Sequence, residues 1–192
     1  MGLEAELVTW LNQGIGRNYL LDRLTYLLVS DYFLPLLMCF LGLGLWFYGR
    51  DPAARESNQR AVLAAAISLG FANLVVLLLN QLFFRERPFV HLDLTNLLYA
   101  PTDSSFPANP AAVAFAFAMA IWLKNRRAAA PVLLLAVLWS FMRVYNGLHY
   151  PSDVVLGGLI GVAVACLVTL GLHAIEPLPT WVLKGARSLH LA

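Results

Sequence analysis

The sequence predicts an all-α bundle of membrane-spanning helices, and three observations carry that prediction. Of its 192 residues, 60% are hydrophobic and 12% are charged, against about 45–50% and about 25% in a soluble domain. The mean hydropathy is +0.70. The apolar residues fall into runs long enough to cross a bilayer, parted by polar stretches rich in Pro, Asp and Arg. The length allows a single domain. A net charge of +2 gives no reason to expect nucleic acid. Cys39 and Cys166 both lie inside apolar runs without metal-ligand spacing, which fits packing rather than a disulfide.

Residues 3–30 are mixed rather than uniformly apolar. Leu3, Leu7, Trp10 and Leu11 recur at helical spacing, as do Leu20, Leu21, Leu24, Leu27 and Leu28. The pattern predicts one or two amphipathic helices lying in the interface, parted near Gly14 and Gly16. Residues 1–31 thus form an N-terminal interfacial segment ahead of a membrane domain over 32–175. A true span starting near Tyr19 would carry Asp22, Arg23 and Asp31, which is costly. The first span covers about 32–48, with aromatic residues at both ends. A polar loop is expected over 49–60. The second span, 61–84, is interrupted by Asn73 and Asn80. A polar segment fills 85–109. The third span is 110–123, followed by a basic turn at Lys124, Arg126 and Arg127. The fourth is 129–146, the fifth 153–175, and 176–192 is a cytoplasmic interfacial tail. About five spans result.

Five spans place the loops at 49–60 and 124–128 and the tail on one side. That side holds Arg50, Arg55, Arg60, Lys124, Arg126, Arg127, Lys184 and Arg187, eight of the 13 Lys and Arg. By the positive-inside rule it is cytoplasmic. The segment 85–109 and the turn at 147–152 then share the opposite face. Gly157 and Gly161 form a G-x-x-x-G step, which suits close helix packing within the bundle.

Chemistry concentrates in Arg143-Val-Tyr-Asn-Gly-Leu-His149-Tyr-Pro-Ser-Asp153. Charged groups beside a bilayer pair with one another or line a polar cavity. Asp153 can orient His149, His149 can attack, and Arg143 can hold an anion. A plain polar turn between two helices, with Asp153 at a helix N-terminus, accounts for the same spacing. Arg85 and Arg87, before Pro88, suit bidentate contact with phosphate oxygens on the same face. Ser104-Ser105-Phe-Pro-Ala-Asn109-Pro110 reads as a helix start, with Asn109 as cap and Pro110 at the first helical position. Its free N–H groups would suit an anion.

On these residues the chain resembles the membrane branch of the type-2 phosphatidic acid phosphatases, and in size the short bacterial enzymes acting on undecaprenyl pyrophosphate. That family carries Lys-x6-Arg-Pro, then Pro-Ser-Gly-His, then Ser-Arg-x5-His-x3-Asp. Here the first reads Asn80 through Arg87-Pro88, the second Pro107-Ala108-Asn109-Pro110, and the third Met142-Arg143 through His149 to Asp153. The resemblance covers about residues 32–175. It implies a helical bundle in a bacterial cell membrane with an extracytoplasmic phosphate site. It also implies a phosphohistidine on His149 steered by Asp153. Arg87 and Arg143 would bind the phosphoryl oxygens, with Asn80, Asn109 and Arg85 as further phosphate ligands. The partner is a lipid phosphate or diphosphate, and neither metal nor cofactor is implied.

The departures have chemical consequences. The family Lys is Asn80, the Ser before the Arg is Met142, the second-motif Ser is Ala108, and the His that protonates the leaving group is Pro110. A side-chain general acid is worth about 10²–10⁴ in rate. It matters most for an alkoxide leaving group, and far less for a phosphate monoester leaving from a diphosphate. A diphosphatase without that acid is the first expectation. His91 is a candidate replacement acid. The second is an impaired family member that binds lipid phosphates. A transporter is disfavoured, because no pair of broken helices marks a transport site.

Overall fold

The computed structural model describes residues 2–96 and 100–189, and in these the chain is helical with no strand. The helices are α1 (Leu3–Asn12), α2 (Tyr19–Val29), α3 (Phe33–Phe47), α4 (Pro52–Leu82), α5 (Pro88–His91), α6 (Asn109–Trp122), α7 (Arg126–Tyr145), α8 (Pro151–Ala174) and α9 (Leu178–Ser188).

Helices α4, α7 and α8 are each long and apolar enough to cross a bilayer. Helices α2 and α3 meet at a 56° bend and reach that length only together, as a broken span or a re-entrant pair. The expected span at 32–48 corresponds to α3, the second limb of that pair. Helix α6 has 14 residues. At 1.5 Å per residue it is about 21 Å long, short of the ~30 Å hydrocarbon core. About five spans were expected; by length and composition the helices supply three, or four with the bent pair.

Two boundaries move for clear local reasons. Residues 52–60 were read as loop because they are polar, yet they form the first turns of α4. Asp51 accepts a hydrogen bond from the Ala54 N–H at 2.8 Å, Pro52 sits where its missing N–H costs nothing, and Glu56 pairs with Arg60 one turn on. At the start of α6 the N-cap is Ala108, with no side-chain cap. Asn109 is not the cap. Its Nδ2 donates instead to Asn73 Oδ1 on α4 at 2.9 Å.

Helix α6 is the axis of the bundle and packs against α4, α7 and α8. Ala111, Ala112, Ala114, Ala116, Ala118 and Ala120 are buried there, and their small side chains let three neighbours approach. The G-x-x-x-G step of α8 completes the fit. A Cβ at Gly157 would lie 2.4 Å from Ala108 O, and one at Gly161 would lie 2.2 Å from Ala112 O. These glycines therefore serve packing within the chain.

The two terminal helices close opposite ends of this bundle. Helix α1 buries Val8 against Leu92 and Val144. Its Asn12 Nδ2 donates to Thr95 O and Tyr145 O, and its Oδ1 accepts from the Thr95 N–H. Helix α9 docks at the other end, where Arg187 reaches Glu56 and Gln59, and Arg60 reaches Glu176 and Thr180. Asn125 Nδ2 donates to Asn58 Oδ1 at that same end. The basic loops thus lie together, away from residues 85–96 and 100–109 and the turn at 147–150.

Candidate active site

The turn between α7 and α8 presents His149. Gly147 makes the turn at φ +67°, a left-handed conformation that favours glycine. A Cβ there would also lie 2.4 Å from Leu94 Cδ1. The Leu148 N–H donates to Arg143 O at 3.0 Å and ties the turn back to α7. At the far side, the Tyr150 N–H donates to Asp153 Oδ2 at 2.8 Å, which fixes the start of α8.

His149 is 2% exposed, and its hydrogen bonds determine its tautomer. Nδ1 lies 2.8 Å from Ser105 O, a carbonyl that can only accept. Nε2 lies 3.1 Å from Arg87 Nη1, a guanidinium that can only donate. The proton therefore sits on Nδ1, and Nε2 carries its lone pair towards the arginine. Burial, then the charge of Arg87, and more weakly that of Arg143, hold the imidazole well below its ordinary value of 6.5. The Ser105 carbonyl pulls the other way. The ring is neutral at physiological pH, the form that can attack.

Arg87 is 6% exposed and ties the His149 turn to the segment at Asp103. Nη1 also donates to Leu148 O at 2.9 Å, Nε to Asp103 O at 3.2 Å, and Nη2 to Asp103 Oδ1 at 2.8 Å. Arg143 is 3% exposed. It lies over the Trp139 ring and donates from Nη2 to Asp31 Oδ1. His149, Arg87, Arg143, Asn80 and Asn109 line one cavity of about 200 Å³, together with Asp31, Pro101, Asp103, Ser104 and Pro110. The Oδ1 atoms of Asn80 and Asn109 are buried without a hydrogen-bond partner. Asn80 and Pro110, which stand in place of a lysine and a histidine in the motifs above, are both part of the wall.

Three of the residues marked in the sequence are placed differently. Asp153 is fully buried, but no hydrogen bond or ion pair joins it directly to His149. Ser105 stands between them. Its Oγ donates to Asp153 Oδ2 while its carbonyl accepts from the His149 Nδ1–H. Arg85 does not line the cavity. It donates to Asp153 Oδ1 at 2.6 Å, to Ser152 Oγ at 2.8 Å and to Glu4 Oε2 at 2.9 Å, and it stacks over Tyr150. Its geometry is that of a brace behind Asp153. His91 pairs with Glu86 on an exposed surface and does not reach the cavity.

No pattern in the sequence indicates that Ser105 links His149 to Asp153, nor that Glu4 of α1 accepts from the Ser152 N–H at 3.0 Å. Those contacts join residues 44 and 148 positions apart. Asp31 carried a weak signal, as a carboxylate bordering an apolar run, whereas Asp103 lies within the polar segment 85–109 and carried none.

Comparisons with known proteins agree with this architecture. The profile of the PAP2 superfamily matches residues 61–176. The chain is 34% identical to YbjG of Escherichia coli over 128 residues, 66% of this chain and 62% of that protein. It is 34% identical to undecaprenyl-diphosphatase BcrC of Bacillus subtilis over 119 residues, 62% of this chain and 58% of that protein. In both cases it spans less than two thirds of the relative's length. The crystal structure of Aquifex aeolicus LpxE superposes with a TM-score of 0.65 at 28% identity, covering 88% of this chain and 95% of that one. A match over more than half the chain, together with this shared fold, makes the protein a member of the PAP2 superfamily.

Proposed function

We propose that this integral membrane protein hydrolyses a lipid diphosphate of the prenyl type through a phosphohistidine on His149. The observation that carries the reading is the neutral, buried His149, its Nε2 lone pair facing Arg87 in a cavity that also holds Arg143. The name of the B. subtilis relative supports the diphosphate class. The placing of the basic loops at the far end supports an extracytoplasmic site.

Nε2 attacks the terminal phosphorus, and the bond from that phosphorus to the bridging oxygen breaks. The lipid monophosphate leaves with the electron pair as a stable anion, so no side-chain acid is needed where Pro110 stands. Arg87 exchanges its contact with Nε2 for the phosphoryl oxygens. Arg143, Asn80 and Asn109 surround the same volume. Catalysis of this kind rests on positioning and charge stabilisation. The Ser105 carbonyl keeps Nδ1 protonated as the ring becomes cationic. Asp153, braced by Arg85, holds Ser105 in place. Water then attacks the phosphohistidine, releasing inorganic phosphate and restoring Nε2.

A second reading has one observation in its favour. Pro110 and Asn80 replace ionisable groups in the cavity wall, which fits a protein that binds lipid phosphates without cleaving them. Phosphate release by purified protein from undecaprenyl diphosphate and from phosphatidic acid, with His149→Ala as control, separates the two. Release from the diphosphate, lost in the variant, is expected. No release from either substrate, with lipid binding that depends on Arg143, would establish the second reading.

A further inference from the structure

The cavity is charge-balanced before any headgroup enters. Arg87 donates to Asp103 Oδ1 at 2.8 Å and Arg143 donates to Asp31 Oδ1, and all four side chains line the same space. His149 adds no charge. Two guanidinium groups thus face two carboxylates, which present their oxygens much as a phosphate does.

We propose that Asp31 and Asp103 are place-holders for phosphoryl oxygens, and that they set the charge a headgroup must carry to bind. The proposal rests on reading the cavity as a lipid-phosphate site. Its support is an asymmetry of burial. The arginine side chains are 6% and 4% exposed, whereas their partners Asp103 and Asp31 are 65% and 35% exposed. The donors are fixed in the protein while the acceptors border on solvent. A carboxylate serving only to neutralise a buried arginine has no need of that exposure. A headgroup can therefore displace Asp103 into water and keep the arginine where it is.

The loss of the two ion pairs is the same for every incoming group, while the gain grows with the charge of the newcomer. A terminal phosphate carries about −1.5 to −2 at pH 7. A phosphodiester headgroup carries a single negative charge and gains least from the exchange. Phosphodiester lipids make up the bulk solvent of a membrane protein. The two carboxylates thus keep the cavity clear of the surrounding bilayer and open to a scarce lipid bearing a terminal phosphate.

The test measures dissociation constants of the full-length protein in detergent for inorganic phosphate and for a short-chain phosphatidylglycerol. The proteins are the parent, Asp103→Asn, Asp31→Asn, Asp103→Glu and Arg87→Ala, each shown folded by its thermal transition. Each Asp→Asn variant should bind phosphate and phosphatidylglycerol alike about tenfold more tightly, while Asp103→Glu returns to the parental values. Unchanged or weaker binding in folded Asp103→Asn overturns the proposal. So does a loss of turnover at unchanged affinity, which would make Asp103 a proton donor. If the parent itself binds no phosphate, or binds it equally well with Arg87→Ala, the lipid-phosphate reading fails and takes the proposal with it.

Discussion

The surroundings of His149 keep the Nε2 lone pair free of a proton below the ordinary imidazole value, as the proposed attack on phosphorus requires. One acceptor, the Ser105 carbonyl, and one donor, the Arg87 guanidinium, fix the tautomer, while burial and the neighbouring arginine charges hold the ring below 6.5. The acid limb of the pH–rate profile should therefore lie below pH 6.5, and a limb centred at or above that value contradicts this account. Stability follows the same sign. The folded value lies below the unfolded one, so between the two the unfolded chain binds a proton that the native chain does not. The contribution is present above pH 6.5 and is lost as the pH falls below it, measurable as a drop in melting temperature. At this scale the spacing of Arg87, Arg143 and His149 was enough to single them out, because charge beside apolar runs is rare. Asp153 was read as the direct partner of His149 for the same reason. That contact runs through Ser105, whose role is visible only when the 103–107 segment lies against α8. Asn80 and Asn109 were marked from motif positions and lie in the cavity wall. Arg85 and Arg87, two residues apart, look alike in sequence, although the first braces Asp153 and the second points to the cavity.

The separation of α6 and α8 fixes the distance from the His149 turn to the wall at Asn109 and Pro110. The Ala108 N–H donates to Asp153 O at 3.0 Å, so the first turns of both helices are joined directly. Gly161→Ala places a methyl 2.2 Å from Ala112 O, where backbone cannot yield cheaply. It should destabilise the protein by about 1–3 kcal/mol and lower turnover with it. Gly185→Ala in α9 meets nothing within 4 Å. It should leave stability unchanged or raise it by about 0.4–1 kcal/mol. Thermal denaturation in detergent checks the pair, and equal losses at both positions would sink the argument. The helices themselves were legible from hydropathy, their ends less so. Polarity over residues 52–60 suggests a loop, whereas a helix leaving the hydrocarbon continues readily in polar sequence. The shortness of α6 was equally hidden, because an alanine-rich run looks the same whether lipid or other helices surround it.

Across the whole molecule, charge is concentrated at the two ends. At one end Glu4, Arg85, Asp153, Ser105 and His149 form a continuous line from α1 to the cavity. At the other end, Arg60 and Arg187 fasten α9 to α4. Exposed pairs of the second kind are worth about 0–1 kcal/mol each, so Arg187→Ala should barely shift the melting temperature. Sidedness could be expected from the count of basic residues, but the line through Glu4 could not, because nothing local in α1 points to a contact with α8.

The attachment of α1 has a consequence for how this protein would wear out. Helix α1 is a short element held by one small apolar cluster, one asparagine and one carboxylate, and such elements open well before the global transition. When it opens, Arg85 and the start of α8 lose their outer support while α4, α6, α7 and α8 keep their packing. Heating should then silence the protein at a temperature where its helix content is still intact. Glu4→Gln should widen the interval between the inactivation and melting midpoints, and Arg187→Ala should not. A single midpoint for both, in the parent and in Glu4→Gln, would show that α1 and the bundle come apart as one unit.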